Sequence, residues 1–229
     1  KIAAILDAAD AYKQKTKALI EKYDELTQSL FIDMFGDPVT NPKGWQIKSL
    51  DNVSLLTTKG SSPKWQGYEY ISEGVRFITS ENVRLGHLDI SKDKFVASEF
   101  HGKLLRSQLK ENDLLVNLVG ASIGRGALVT NDALPANINQ AVAKTELDLT
   151  KVHPLFILYQ VVSPQVQERL IGNKVEGARA NISLKNVREM ELYIPPISLQ
   201  NQFAERVQAI EEQKAQAEAS LAQAEDLFN

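Results

Sequence analysis

Apolar and small residues recur near the start of the chain in alternating steps of four and three: Ile5, Ala9, Tyr12, Thr16, Leu19, Tyr23, Leu26 and Leu30. A 3.5-residue repeat keeps one stripe of a helix facing a partner helix along its whole length. No glycine or proline precedes Gly36, and Ala, Lys, Glu, Gln and Leu, all good helix formers, dominate the segment. Gly36-Asp37-Pro38 then supplies a stop. At about 1.5 Å per residue such a helix is roughly 50 Å long. The other end repeats the pattern. Pro195-Pro196 closes what precedes, Ser198 can serve as N-cap, and the seam reads Phe203, Val207, Ile210, Lys214, Ala217, Leu221, Ala224 and Phe228. Lys214 is the charged member of that seam, a kind of position that fixes register or partner number. One domain face cannot cover two such stripes. The expected arrangement is therefore an antiparallel pair, with a helix over 1–35 entering a middle domain (36–197) and one over 198–229 returning beside it. The simpler alternative packs both helices on the middle domain.

Composition narrows the class. The chain has 229 residues, 43% hydrophobic and 24% charged, which are ordinary globular values. No apolar run approaches the roughly 20 residues of a membrane-spanning helix, and no charged-then-apolar leader opens the sequence. A soluble, cytoplasmic setting with no membrane partner is expected. The first residue is Lys1 rather than Met, so a piece of something longer is also expected. With no cysteine, disulfide frameworks, iron–sulfur clusters and cysteine-rich zinc sites are excluded. His87, His101 and His153 share no short spacing, which argues against a histidine-built metal site or a triad. The net charge of −3 is uneven: residues 1–35 carry −1, residues 198–229 carry −4, and the middle carries +2. A weakly basic middle does not by itself mark a DNA-binding face.

Between Trp45 and Pro196 the periodicity is short. Strands are expected at Gln46–Leu50, Val75–Thr79, Asp113–Val119, Gly126–Val129, Ala141–Glu146 and Glu191–Ile194, and helices at Pro154–Ser163, Gln165–Gly172 and Leu184–Val187. Too few helices separate the strands for regular βαβ alternation. The expected class is α+β, a mixed and largely antiparallel sheet flanked by the two terminal helices. Three loops are chemically distinctive: Thr57–Lys64, rich in hydroxyls and cations; Gly120–Gly126; and Gly177–Asn181. Ser80–Arg84 and Asn137–Gln140 lie between them. Asn and Gln can read adenine bidentately, Arg and Lys read guanine, and hydroxyls or glycine N–H groups hold phosphates. Surface turns are built from these same residues, so each loop alone says little.

Catalytic motifs are incomplete. Gly120 and Gly124-Arg125 lack the Lys-Ser/Thr ending of a P-loop. Gly124 and Gly126 lack the third glycine of a dinucleotide fingerprint. Glu212-Gln213-Lys214 matches part of a nuclease signature but lies on a heptad helix, where a metal would have no cleft. Asp113 reads as a turn carboxylate rather than a metal ligand, His87 and His101 as solvated loop residues, and His153 as a cap beside Pro154.

The order of landmarks is recognisable. The long helix ends in Leu30-Phe31-Ile32-Asp33-Met34-Phe35-Gly36-Asp37-Pro38, followed by Asn41-Pro42-Lys43-Gly44-Trp45. Then come Lys59-Gly60-Ser61-Ser62-Pro63, Arg76-Phe77-Ile78, Leu109–Leu115, the Gly120–Gly124 loop, Asn139-Gln140 and Tyr193–Gln202. The set spans nearly the whole chain and resembles the specificity (S) subunits of Type I restriction–modification enzymes. The resemblance implies a non-catalytic target-recognition domain that reads one part of a split double-stranded DNA sequence. Its helices would act as spacer and as dock for methyltransferase subunits, with a motor–nuclease subunit joining for cleavage. S-adenosylmethionine, ATP and Mg2+ would belong to those partners, and this chain would hold no metal or cofactor. A second recognition domain is missing, which implies either one half of a full subunit or a half-length subunit that pairs with itself about a two-fold axis. The residues expected at DNA are Lys59, Gly60, Ser61, Ser62, Lys64, Asn82, Arg84, Ser122, Arg125, Asn139, Gln140, Arg179 and Asn181. Helix pairing is assigned to Ile5, Tyr12, Leu19, Tyr23, Leu26 and Leu30 against Phe203, Val207, Ile210 and Leu221. The competing reading is a helical scaffold that never touches DNA. A methyltransferase or nuclease is disfavoured, because an S-adenosylmethionine loop and an Asn-Pro-Pro-Tyr-type motif are absent.

Overall fold

Gly36 ends the first helix by adopting φ +84°, a conformation glycine reaches without strain, and its N–H closes the last turn on Ile32 O at 2.7 Å. The computed structural model describes residues 2–172 and 181–226. The chain divides into two units, Lys1–Asp37 with Ser198–Asn229, and Pro38–Ile197.

The first unit consists of α1 (Ile2–Phe35) and α6 (Ile197–Asp226). Contacts descend along one helix as they ascend the other, so the pair is antiparallel. Phe31 and Phe35 meet Phe203 edge-on at centroid distances of 5.5 and 5.4 Å. Further along, Lys214 Nζ holds Asp24 at 2.6 Å, Tyr23 OH donates to Gln213 Oε1, and Tyr12 OH bonds Ser220 Oγ. The charged seam residue is thus neutralised by the facing helix. On α6 the buried or half-buried stripe includes Phe203, Val207, Ile210, Lys214, Ala217, Leu221 and Ala224, the expected seam.

On α1 the seam is rotated from expectation. Ala9, Thr16, Tyr23 and Leu30 are buried or half-buried as anticipated. The alternating positions are Ile20, Thr27 and Met34, whereas Tyr12, Leu19 and Leu26 are 46%, 43% and 50% exposed. Phe31 and Phe35 set the rotation by their joint grip on Phe203, and the stripe that continues from them runs through Thr27 and Ile20. Burying threonine on this face is inexpensive because Thr16 Oγ1 and Thr27 Oγ1 donate to Tyr12 O and Tyr23 O within the helix. The side chain of Ile5 lies outside the described residues.

The second unit has the expected α+β character. In chain order its elements are β1 (Gln46–Ser49), β2 (Ser54–Lys59), β3 (Val75–Ile78), β4 (Phe95–Val96), α2 (Ser98–Lys103), β5 (Leu114–Asn117), β6 (Gly126–Leu128), β7 (Ala136–Ile138), β8 (Val142–Leu147), α3 (Pro154–Val162), α4 (Pro164–Ile171), α5 (Leu184–Arg188) and β9 (Glu191–Ile194). β1 pairs with β9; β2-β8-β5-β6 form an antiparallel sheet; β4-β3-β7 form a third, in which β3 and β7 run parallel. β2, β4, α2 and β7 correct the sequence reading. Thr57–Lys59 and Asn137-Ile138 were expected in loops because of their polar residues. Thr57 and Thr58 are instead buried strand residues, with Thr57 Oγ1 facing Thr145 Oγ1 at 3.2 Å, since a branched Cβ favours the pleat whatever its polarity.

Ile78, Ile138, Leu115, Ala127, Val129 and Val142 form one core between the three- and four-stranded sheets. Each large apolar side chain buried there contributes about 1.5–3 kcal/mol. Phe77 and Phe100 extend a second cluster, ring to ring at 5.7 Å. α3 packs on β6, where a Cβ on Gly126 would come within 3.2 Å of Val161. Gln160 fastens α3 to β9 by exchanging two hydrogen bonds with the Tyr193 backbone. His153 caps α3 by accepting from Leu155 N at 3.3 Å, and burial lowers its pKa, keeping the lone pair that cap requires. Asp113 is 2% exposed and pairs with Lys144 at 3.1 Å. Among the described residues no helix is long and apolar enough to cross a membrane.

Candidate nucleic-acid interface

Strand direction brings the polar loops together. β2 ends and β8 begins at the pair Lys59–Ala143, and β5 ends opposite Val142 while β6 begins opposite Val116. One end of the four-stranded sheet therefore collects the segment after β2, the segment before β8 and the β5–β6 connection. Parallel pairing of β3 with β7 delivers Ser80–Arg84 to the same end as Asn139-Gln140. Backbone bonds then join the loops: Gly60 N to Asn139 O, Asn139 N to Ile78 O, Leu118 N to Ala141 O and Ile182 N to Leu118 O.

Two buried amides complete the assembly. Asn117 is fully buried, and the two N–H groups of its Nδ2 are shared among Ser80 O, Val83 O and Ser122 Oγ, which lie at 3.0, 3.2 and 3.0 Å. Asn137, also fully buried, donates through Nδ2 to Leu104 O and Ser107 Oγ and accepts from His101 Nδ1. The acceptor role of Asn137 Oδ1 fixes the His101 tautomer with its proton on Nδ1. His101 thus lies on α2 in a specific bond rather than in a solvated loop.

The residues singled out from sequence separate into two groups. Lys59 and Lys64 are exposed, Ser62 and Arg125 half-exposed, and their side chains hold no hydrogen bond or ion pair among the described residues. Ser61 Oγ accepts from Gln66 Nε2. Asn181 is exposed and bridges to Val119 beside the β5–β6 connection. Gln140 Oε1 is buried with no partner among the described residues.

Others are committed to the framework, contrary to expectation. Asn82 is 2% exposed; it accepts from Thr79 N and Oγ1 and donates to Asp89 O and Lys92 O, leaving nothing to offer a base. Arg84 pairs with Asp89 at 3.0 Å. Bonds from Ser91 and then Arg84 hold that carboxyl at about 2. Ser122 Oγ accepts from Asn117 and Asn139 Oδ1 accepts from Ala141 N, so each is positioned by the framework yet keeps a donor, the Ser122 hydroxyl proton and the Asn139 amide N–H groups. Gly60 spends its N–H on Asn139 O rather than on an anion, and any Cβ there would overlap Ile138 O. Arg179 lies outside the described residues.

Sequence reasoning missed Lys103 and Arg106. They line a cleft of about 330 Å3 with Lys59 and Ser61, and the short α2 that carries Lys103 shows too little periodicity to be seen in sequence. A second cleft of about 320 Å3, near α4, is lined by Glu189 and Glu191 as well as Arg169, a poor lining for a polyanion. Among the described residues no cluster of His, Asp and Glu could hold a metal ion.

Known proteins share this architecture. The sequence pattern of a family described as Type I restriction modification DNA specificity domain matches residues 42–225. The Type I restriction enzyme EcoBI specificity subunit of Escherichia coli is 26% identical over 190 residues, 83% of this chain and 39% of that protein. The crystal structure of the HsdS subunit from Thermoanaerobacter tengcongensis has the same fold (TM-score 0.64, 17% identity, 99% of this chain and 54% of the other). So does the S subunit of the Type-I restriction-modification system from M. genitalium (TM-score 0.62, 14% identity, 99% and 57%). The chain thus spans about two fifths of that curated relative and a little over half of each solved chain.

Proposed function

The chain belongs to the Type I restriction modification DNA specificity domain family, and from that premise we propose that its 38–197 unit reads one part of a bipartite double-stranded DNA target. The observation that carries this reading is the convergence of Lys59–Lys64, Gly120–Arg125, Asn139-Gln140 and Asn181 at one sheet end, with Lys59, Lys64 and Arg125, whose side chains are unpaired among the described residues, in the set. Such a surface offers hydrogen-bond donors, acceptors and positive charge, which is what reading a duplex requires. The helical unit docks methyltransferase subunits, and a motor–nuclease subunit joins the assembly for cleavage. S-adenosylmethionine, ATP and Mg2+ serve those partners rather than this chain, and the complex works on DNA in the cytoplasm. A second recognition domain comes from further sequence or from a second copy related by a two-fold axis.

The test is to co-express the chain with its methyltransferase subunit and map methylated positions across a genome. A single split motif is the expected result, and R125A should relax or abolish one part of it. Methylation without sequence preference, or a motif unchanged by R125A and by K64A, would leave only the scaffold reading.

A further inference from the structure

The cleft between Thr58–Ser61 and Lys103–Ser107 gathers several cations along one wall and the strand end that faces it. Lys59, Lys103 and Arg106 line it, no carboxylate does, and none of the three forms an ion pair among the described residues. Elsewhere Lys94, Lys110, Lys144 and Lys151 each hold a carboxylate within 3.1 Å. Like charges gathered without counter-charge repel one another, and an anion placed among them relieves that repulsion.

The cationic wall is also held still. Asn137 grips Leu104 O and Ser107 Oγ from below, Gln108 Nε2 donates to His101 O, and the buried Lys144 ammonium donates to Gln108 O at 2.7 Å. Lys103 Nζ stands 5.7 Å from the Tyr68 ring centroid. The opposite wall is fixed by the Gly60–Asn139 bond. Because Ser61 Oγ accepts from Gln66, its own proton remains available for donation.

We infer that this cleft seats a backbone phosphate of the DNA, with Lys59, Lys103 and Arg106 supplying charge and Ser61 a hydroxyl donor. The inference deepens the DNA reading above and rests on it. The cleft sets the register of the duplex, and base choice is left to the neighbouring loops.

The test uses the full chain assembled with its methyltransferase subunits, and two duplexes, one carrying the mapped motif and one scrambled. Affinity is measured across a salt series for wild type, K103Q, R106Q, R106K and K151Q. The expected result is that K103Q and R106Q weaken binding to both duplexes by the same factor. Each also makes the slope of log affinity against log salt shallower by about one. R106K and K151Q, which keep a cation at the cleft or remove one elsewhere, retain the wild-type slope. Unchanged slopes in K103Q and R106Q, or a shift in motif preference, would overturn the inference while the DNA reading stands. Loss of the methyltransferase subunit from those variants would reassign the cleft to a protein partner. Tight binding of inorganic phosphate alone, measured by calorimetry, would reassign it to a free anion. Failure of the wild-type assembly to bind either duplex would remove the DNA reading, and this inference with it.

Discussion

The Lys144 ammonium is enclosed by Asp113, Gln108 O and, at 4.0 Å, Glu146. Burial pushes the Asp113 carboxyl up, against the Lys110 N–H and the Lys144 charge, which pull it down. K144M would strand that carboxylate, an outcome that costs about 3–5 kcal/mol in comparable buried pairs. Removing both charges in D113L/K144M should return most of the loss. The deficit in K144M should be smallest below the ordinary carboxylate range, where Asp113 is protonated in both states and only the lost bond to Gln108 O remains, and should grow as pH rises through the raised Asp113 pKa. Urea denaturation at several pH values measures both effects. Residue type alone could not show which polar groups would be enclosed in this way. Asn82 and Arg125 look equally suited to a base edge in sequence, yet one is buried in four bonds and the other is half-exposed with none from its side chain among the described residues. Enclosure depends on which strands flank a turn, and that information lies in pairings distant in sequence.

At the scale of elements, periodicity located most strands and every helix except α2, usually within one or two residues. It could not fix the rotation of α1. Leu19-Ile20 and Leu26-Thr27 are adjacent pairs, so the same heptad spacing accommodates either member. Sequence reasoning chose the larger apolar one. The aromatic cluster at Phe31, Phe35 and Phe203 chose the other. L26Q should therefore change stability by no more than about 0.5 kcal/mol, as for an ordinary surface position. F203A should cost about 3–5 kcal/mol through lost packing and an unfilled cavity. Chemical denaturation of the two variants side by side decides it: a larger loss in L26Q would restore the leucine seam. β2 escaped notice for a related reason, because its threonines carry the composition of a turn and the shape of a strand.

For the whole molecule, the functional reading makes the paired helices a spacer. Shortening α1 and α6 by four residues each removes about 6 Å of helix, close to two base pairs at 3.4 Å per pair. The methylated motif should then show a gap shorter by about that amount, and an unaltered gap would refute the spacer role. The division into two terminal helices and a central α+β unit was legible from stop signals and heptads alone. The convergence of the loops was not, because it follows from β2–β8 and β3–β7 pairings that join residues dozens of positions apart.

The loops at the sheet end are tied to one another through backbone atoms and buried amides, Gly60 to Asn139 and Asn117 to Ser80, Val83 and Ser122, while the side chains of Lys59, Ser62, Lys64 and Arg125 take no part in the ties among the described residues. Such a construction separates what must be kept from what can be exchanged. The outward side chains form an interchangeable set on a fixed chassis, so new vocabularies can be installed there one letter at a time without loosening the frame.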